Sequence, residues 1–385
     1  MRHGPGPRAS GADARRGRRR KPVDGERTGN RVGRRGGQVR REGDQQAGRG
    51  PAAPAAAPTG HSNPNVHELR RLVRRAVARR GKLLDDPQTN VARLLHGAAE
   101  GPAGLVIEKF GDVLIAQLHE QRMEINGALA RRLCEDVKRV VGARAVYRKI
   151  FPRDRAAAEA RLRKLHCDPR PWIGEPVEPE LTVLENGVKL LIRPYDGYSV
   201  GLFLEHRDNR RLIRELAAGR WVLNAFAYTC GFSVCAALGG AAGTVNVDVS
   251  ASHLEWGKRN FAANGLALDD HLFFRSDVFA YLRRAARQRR RFGLIVLDAP
   301  TFGRSKKPRG VFSITEDLDR LVEQAAELLE PEGFVFLASN HRLTSRRRLE
   351  QAVERVGLRV VRRPRLASDF AGDAAYSKSV LARRD

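Results

Sequence analysis

The sequence contains few cysteines and no pattern that binds zinc. None of its four cysteines, Cys134, Cys167, Cys230 and Cys235, forms a CxxC pair, and no histidine cluster has the spacing of a zinc site. A chain of 385 residues with so few cysteines is not a disulfide scaffold. We therefore expect no metal site and a reducing compartment.

Long apolar runs are also absent. The sequence has no stretch of about 18 apolar residues and no apolar core of a signal peptide. The Arg-rich start resembles an organelle transit peptide only superficially, because it contains glycines and scattered acids and almost no serine. We expect a soluble, cytoplasmic protein that is not secreted.

Large apolar side chains are nearly missing from residues 1–62. This segment holds fifteen Arg or Lys and five Asp or Glu, and most of the rest is Gly, Ala and Pro. Such a composition cannot offset its ordering entropy by burial, which predicts a disordered basic arm. The arm either binds RNA phosphates loosely or serves only as a solubilising tail, and the sequence leaves both open.

Positive charge exceeds negative charge in the chain, with 71 Arg and Lys against 44 Asp and Glu. The formal net charge is +27, of which the arm supplies +10, so +17 remains on the folded part. Arginine outnumbers lysine, and guanidinium groups pair with phosphates and stack on bases. A genome rich in GC explains the choice of Arg over Lys but not the surplus of positive charge, so we expect a nucleic-acid partner.

The folded part begins with a helix and a small α+β region. Residues 63–84 have the spacing of a basic amphipathic helix that either covers the core or forms part of an RNA surface. Residues 85–195 predict an α+β domain with a hairpin at Gly111-Asp112 and a helix over about 123–140. Asn186-Gly187 between two apolar runs predicts a second hairpin with a type I′ turn.

From residue 196 to 385, short apolar runs alternate with helical patterns. The runs are WVLNAF (221–226), TVNVDV (244–249), HLFFRS (271–276), FGLIVLD (292–298) and FVFLAS (334–339). This alternation predicts a parallel sheet with helices on both faces. Two final runs, 358–364 and 375–383, have no helix between them and predict an antiparallel pair. The fold class is therefore α/β, with the Rossmann-like seven-stranded sheet of a class I methyltransferase.

Polar residues stand at successive ends of the predicted strands: Asn224, Asp248, Asp277 and Asp298. The carboxyl ends of parallel strands meet at one edge of an open sheet, where ligands bind. A carboxylate at Asp248 can accept hydrogen bonds from both ribose hydroxyls of an adenosine ligand, and Asp277 can accept from the adenine amino group. Alternatively, Asp248 only helps Ser250 to cap the following helix.

The segment after the fourth of these strands reads DAPTF (298–302). Many enzymes that methylate a planar nitrogen-bearing group have (D/N)PP(Y/F) here, and Ala299 replaces the first proline. Asp298 can accept from an amino group, Pro300 stiffens the turn and Phe302 can stack on a base. These three are the predicted catalytic residues.

Five segments resemble the class I methyltransferases of bacterial large-subunit (23S) ribosomal RNA of the RlmI/RlmK type. They are HGAAEGPAGLVIEKFGD (96–112), SVGLFLEHRDNR (199–210), LNAFAYTCGF (223–232), VDVS (247–250) and DAPTF, within a resemblance that covers about 68–383. The resemblance implies S-adenosyl-L-methionine as the cofactor and a central α+β domain that helps to present RNA. The implied partner is ribosomal RNA or a large-subunit precursor.

The resemblance and the strand ends together define a predicted cofactor site. SVGLFLEHRDNR is similar to the family's GxFLDQR segment, which contributes to the cofactor pocket. The predicted cofactor-binding residues are Phe203, Glu205, Arg207, Asn224, Phe226, Tyr228, Thr229, Gly231, Asp248, Ser250, Asp277, Val278 and Asp298.

The family has two chemical branches, and the sequence is closer to the one that methylates guanine N7. The branch that methylates cytosine C5 needs a cysteine thiolate after the fifth strand. Ala338 stands at that position. The guanine-N7 branch resembles this chain in DAPTF, in SNHR (339–342) and in SDFA (368–371). Thr301, Asn340 and Arg342 are the predicted substrate-binding residues.

Departures from the family pattern keep two alternatives open. Glu205, His206, Cys230 and Ala299 replace the residues that are usual there. The first alternative is a methyltransferase that acts on a protein or a small molecule. The second is a catalytically weak RNA-binding factor of ribosome assembly that has kept the fold.

Overall fold

The computed structural model describes residues 65–385 apart from 154, 307–308 and 371–372. The predicted basic arm, residues 1–62, lies outside the described residues. Among the described residues, no helix is both long enough and apolar enough to cross a membrane.

The first helix is amphipathic, as its spacing predicts. α1 (Val66–Ala78) begins after Asn65, whose side chain accepts a hydrogen bond from the backbone N–H of His67. Leu69, Val73 and Val77 are buried on one face, while the arginines between them are exposed or half-buried. The apolar face packs on the core of the following sheet. A short helix, α2 (Gly81–Leu84), completes this segment.

A five-stranded sheet follows, with the strands in chain order across the sheet. Its elements are β1 (Val91–His96), β2 (Leu105–Phe110), β3 (Val113–His119), α3 (Gly127–Val140), β4 (Ala145–Phe151), α4 (Arg155–His166) and β5 (Ile173–Gly174). β2 and β3 form the predicted hairpin, and β3 and β4 are parallel. α3 begins later than predicted, because Asn126 caps it and residues 120–122 form a 3-10 turn.

A separate hairpin, β6 (Leu181–Glu185) and β7 (Val188–Ile192), confirms the prediction at Asn186-Gly187. Both turn residues have positive φ angles, 51° and 77°, as a type I′ turn requires. The hairpin is also hydrogen-bonded to the helix Ala251–Ala263, through Asn260 Oδ1 to the N–H of Leu191 at 2.8 Å. The predicted domain boundary near residue 195 stays a prediction, since residues on both sides of it share one core.

The remainder forms a seven-stranded sheet. Its elements are α5 (Arg207–Leu216), β8 (Trp221–Ala225), α6 (Gly231–Leu238), β9 (Gly243–Asp248), α7 (Ala251–Ala263), β10 (His271–Arg275), α8 (Val278–Arg287), β11 (Phe292–Ala299), β12 (Phe302–Lys306), β13 (Arg309–Ser313), α9 (Ile314–Ala326), β14 (Leu329–Ser339), α10 (Arg346–Glu354), β15 (Arg359–Arg362) and β16 (Lys378–Arg383).

The order across this sheet is β10-β9-β8-β11-β14-β16-β15. The first five strands are parallel, and β16 runs antiparallel to both of its neighbours. The sheet therefore confirms the predicted topology, including the antiparallel pair at its edge. Helices cover both faces, so that Ile295 of β11 is buried in one core and Val296 in another. The β12–β13 hairpin was not predicted from the sequence, because its two strands contain too few alternating apolar residues to indicate strands.

Candidate cofactor and substrate site

A cavity of about 380 Å³ lies at the carboxyl ends of the parallel strands. The segments that follow β8, β9, β10 and β11 form its wall, as expected for an open α/β sheet. Its volume is within the range of small-molecule sites. We call it the first cavity.

The turn between β8 and α6 forms part of the wall of this cavity. Phe226, Tyr228 and Cys230 have φ angles of 60°, 48° and 62°, a left-handed conformation that costs free energy in residues other than glycine. Thr229 anchors the turn by donating its hydroxyl to the carbonyl of Gly201 at 2.7 Å. The turn ends at the N-terminus of α6, where backbone N–H groups remain free to meet a ligand.

Asp248, the last residue of β9, holds the same turn from the other side. Its Oδ2 accepts from the N–H of Tyr228 at 2.9 Å, and its Oδ1 accepts from the N–H of Ser250 at 2.8 Å. Ser250 in turn caps α7 by accepting from the N–H of His253. Asp248 thus supports the capping residue, as one interpretation of the sequence had it, and also lines the cavity.

Asp298, near the end of β11, forms an ion pair with His206. The Nε2 atom of His206 lies 3.2 Å from Oδ1 of Asp298. Burial by itself would raise the pKa of Asp298, but the charge and hydrogen bond of His206, together with Arg210, lower it overall. The site therefore keeps a carboxylate at the cavity wall.

Most of the predicted cofactor residues are brought together here. Those in the wall of the first cavity are Phe203, Glu205, Phe226, Tyr228, Thr229, Gly231, Asp248, Ser250, Asp277, Val278 and Asp298. Asp277 also caps α8, accepting from the N–H of Ala280 at 3.0 Å.

Arg207 and Asn224 do not line this cavity. Arg207 makes two hydrogen bonds to the buried carboxylate of Asp369, at 2.6 and 3.0 Å. Asn224 lies within β8, where its amide donates to the hydroxyl of Ser233 at 2.9 Å. Both side chains are engaged with other parts of the fold around the cavity, and their predicted contact with the cofactor stays a prediction.

A second cavity, of about 490 Å³, lies beside the first. The two share part of their walls, including Phe203, Glu205 and Asn340. Thr301 and Arg342 line the second cavity, so the three predicted substrate residues are neighbours. Thr301 donates its hydroxyl to Oδ1 of Asn340 at 3.2 Å.

The predicted catalytic residues divide into two groups. Asp298 and Pro300 line the first cavity. Phe302 begins β12 and is 68% exposed, outside the walls of both cavities. Its predicted stacking on a base therefore stays a prediction.

A match to a protein-family model shows which family the chain belongs to. A model described as S-adenosylmethionine-dependent methyltransferase matches residues 111–381. The chain belongs to this methyltransferase family. S-adenosylmethionine is its cofactor, and the first cavity fits that group: it offers carboxylates at Asp248 and Asp277 for hydroxyl and amino donors, with apolar side chains between them.

Two relatives of this methyltransferase carry ribosomal RNA in their names. Ribosomal RNA large subunit methyltransferase K of Neisseria meningitidis is 42% identical over 163 residues, covering 42% of this chain and 46% of that protein. Ribosomal RNA large subunit methyltransferase K/L of Acinetobacter baumannii is 33% identical over 243 residues, covering 62% and 32%. The chain spans less than half the length of these relatives.

Solved structures share the fold. SMU.776, complexed with SAH, superposes with a TM-score of 0.74 at 24% identity, covering 84% of this chain and 83% of the other. A SAM-dependent methyltransferase from Agrobacterium tumefaciens gives a TM-score of 0.58 at 19% identity, covering 78% and 92%. At these identities the likeness establishes the architecture of the methyltransferase.

Several residues of the two cavities were not predicted from the sequence. Arg93 and Glu108 line the second cavity as a cross-strand ion pair of β1 and β2, with 2.7 Å between Nη2 and Oε1. Tyr376 approaches the same guanidinium, accepting a hydrogen bond at 2.8 Å. The opposite charges of Arg93 and Glu108 could have predicted their ion pair if both strands had been predicted. The sequence analysis did not predict β1. His206 was noticed only as a departure from the family.

Proposed function

We propose that this methyltransferase methylates a base nitrogen, guanine N7, of large-subunit ribosomal RNA. The second cavity is the observation that carries the proposal, because it opens beside the first and shares Asn340 with it. A base that is flipped out of its stack can enter the second cavity and lie next to the cofactor in the first cavity. The names of the relatives support ribosomal RNA as the substrate.

The cofactor would be held by the strand ends. We assign the ribose hydroxyls to Asp248 and the adenine amino group to Asp277. Phe226 and Val278 provide apolar surface for the adenine ring. When bound, S-adenosylmethionine supplies an electrophilic methyl group.

The base would be oriented by the loops after β11 and β14. Thr301 and Asn340 are already hydrogen-bonded to each other, so their side chains present one polar edge to the second cavity. Arg342 donates two hydrogen bonds to the carboxylate of Asp373, at 2.6 and 3.1 Å, and its side chain, which is 41% exposed, can also meet an RNA phosphate. Asp298 can accept from an amino group of the base or offset the positive charge that N7 acquires.

A nitrogen target suits the residues that are present. No cysteine is found among the described residues that line either cavity. Ala338, which the resemblance matches to the thiol of the C5 branch, is fully buried, and it lies within β14 rather than after the strand as predicted. Guanine N7 carries a lone pair and no proton, so the site needs no nucleophile and no general base. Orientation and exclusion of water can supply most of the acceleration.

A third cavity favours RNA over a protein or a small molecule as substrate. It is about 1040 Å³ and shares His119, Phe151 and Arg342 with the second. Arg122 and Arg153 also line it, on the five-stranded-sheet side. This basic groove fits the proposed role of residues 85–195 in presenting RNA, and it would position the protein on ribosomal RNA or on a large-subunit precursor.

The decisive experiment identifies the methylated nucleoside. Undermethylated large-subunit RNA is incubated with the protein and tritiated S-adenosylmethionine, then digested and analysed by mass spectrometry. We expect 7-methylguanosine, and no covalent complex with RNA that contains 5-fluorocytidine. Asn340→Ala should lower the transfer rate, whereas Leu343→Ala, on the same loop but exposed, should not.

Two outcomes contradict the proposal. Formation of 5-methylcytidine would assign the protein to the other branch. Cofactor binding without any transfer, to naked RNA or to precursor particles, would favour the ribosome-assembly factor instead.

A further inference from the structure

His206 lies in a 3-10 turn directly before α5 and is only 3% exposed. Its Nε2 atom, 3.2 Å from Oδ1 of Asp298, faces the junction of strand β11 with the first cavity. Asp298 is 26% exposed, so one carboxylate oxygen is engaged by the imidazole while the side chain still reaches the cavity. The contact thus joins a buried histidine to a group in the proposed active site.

The orientation of the imidazole is fixed from its other side. Nδ1 of His206 lies 2.9 Å from Nδ2 of Asn209, one turn along α5. In a neutral ring the amide donates to Nδ1, so the ring hydrogen resides on Nε2, the atom that faces Asp298. In the protonated ring Nδ1 also donates, and the amide of Asn209 must turn its Oδ1 atom, which is buried without a hydrogen-bond partner, toward it. The rings of Phe232 and Phe336 pack against the imidazole, with centroids 5.4 and 6.5 Å away.

The charged groups around His206 favour its protonated form. Burial by itself would lower its pKa, but the carboxylates of Asp298 on β11 and Glu205 on the same turn outweigh burial, and the net shift is upward. Arg210 on α5 acts in the opposite direction but is neutralised by Glu185, with 2.6 Å between Nε and Oε1. α6 and β14 contribute the rings of Phe232 and Phe336 to this contact.

We propose that His206 is a positioning residue that keeps the carboxylate of Asp298 ionised and in one orientation at the boundary between cofactor and base. A carboxylate that loses this partner would be free to rotate, and burial would raise its pKa. The inference rests on the proposed function, because Asp298 matters only if the site transfers a methyl group. His206 also lines the first cavity, and the role proposed for it in transfer is exerted through Asp298.

Two substitutions separate charge from orientation. His206→Gln retains an amide donor but cannot carry a charge, whereas His206→Leu removes both. For His206→Gln we expect transfer at pH 8 close to wild type, with the acid limb of the kcat/KM profile moved up by about one pH unit. For His206→Leu we expect kcat to fall by about 10²-fold, since a misplaced group costs that much. Cofactor affinity should change little in either variant.

The control is His271→Gln. His271 is half-buried at the start of β10 and bonded to Thr244, far along the sheet from the cavities. This variant should show the wild-type pH profile. An acid limb that does not move in His206→Gln would overturn the proposal.

A second readout does not depend on turnover. In protein labelled at the imidazole Cε1, an NMR titration should give His206 a pKa above its ordinary value, and Asp298→Asn should bring that pKa below it. An unchanged titration would refute the coupling even if RNA is methylated. If the coupling is present but wild-type protein transfers no methyl group to RNA, the proposed function fails instead.

Discussion

Cys230, in the turn between β8 and α6, packs against Gly257 of α7. Cys230 is buried with a left-handed backbone, and burial raises the pKa of its thiol well above the ordinary value. Gly257, in the middle of α7, lies against it: a Cβ atom at 257 would come within 2.4 Å of the Cys230 sulfur. A glycine inside a helix costs about 1 kcal/mol relative to alanine. The glycine therefore makes room for a side chain, and Cys230 is a packing residue with little tendency to react.

At the residue scale, we predict that Asp248→Ala abolishes measurable cofactor binding. The carboxylate holds the N–H groups of Tyr228 and Ser250, and it is the proposed acceptor for the ribose hydroxyls. Hydrogen bonds to charged groups contribute about 1.5–3 kcal/mol each, so losing two lowers affinity by about 10²-fold or more. Calorimetry with S-adenosylmethionine measures this.

The matched control is Asp269→Asn, an exposed acid in the loop before β10. It should bind the cofactor normally. Wild-type affinity in Asp248→Ala, with a far-UV spectrum that shows the fold intact, would remove Asp248 from the proposed site.

At the scale of elements, a buried ionic network joins the two sheets. Asp369, in a 3-10 turn before β16, pairs with Arg207 of α5 and accepts from the N–H of Arg93 in β1 at 2.9 Å. The carbonyl of Asp369 accepts from Arg80 at 2.6 Å, and Arg80 is itself paired with Glu100. Asp369, in the segment that resembles the guanine-N7 branch, therefore connects elements of both sheets.

We predict that Arg207→Ala destabilises the protein by about 3–5 kcal/mol, because it leaves the carboxylate of Asp369 buried without its charged partner. Urea unfolding measures the change. The exposed pair Arg359–Asp385, with side chains 57% and 68% exposed, is the control. Arg359→Ala should cost less than about 1 kcal/mol. Equal losses in the two variants would contradict a structural role for Arg207.

At the scale of the whole molecule, two buried histidines make stability depend on pH. Burial lowers the pKa of His96 to about 4, with Arg93 adding to the effect. Burial, and then Lys149, lowers the pKa of His166 to about 4. His166 accepts a hydrogen bond at Nε2 from the N–H of Ile150, which the neutral ring alone can do.

Stability should therefore fall as the pH drops from about 6.5 to about 4. In this window the unfolded chain, with ordinary histidines, binds protons that the folded protein excludes. Above pH 6.5 His96 and His166 add no pH dependence to the free energy of unfolding. Below pH 4 the stability that depends on their neutral form is fully lost. Urea midpoints at pH 7.5 and pH 5 should differ less in His166→Gln, whose amide oxygen accepts the same hydrogen bond without titrating. The same difference in both proteins would show that His166 is not responsible.

The basic arm adds a second prediction at this scale. Deleting residues 1–62 should leave the Tm nearly unchanged, because a segment with so few large apolar side chains can add little to a core. If the arm binds RNA, the deletion should also flatten the dependence of RNA affinity on salt, since fewer counterions are released. An identical salt slope would make the arm a solubilising tail only.

The sequence by itself determined the order and type of most elements and the polar residues at the strand ends. Hydrophobic periodicity and turn residues such as Asn186-Gly187 act locally, so they can be read along the chain. Because parallel strands share one edge, Asp248, Asp277 and Asp298 could be placed together without coordinates.

Only the tertiary structure decided which side chains face the cavities. Arg207 stands in a segment that resembles a cofactor motif, yet its partner Asp369 lies 162 positions away and draws it into the core. His206 meets Asp298, and Arg93 meets Tyr376, only after the sheets are packed. Ion pairs between residues far apart in the chain produce no periodic pattern in the sequence. They form because tertiary packing brings the two residues together, and local conformation does not determine them.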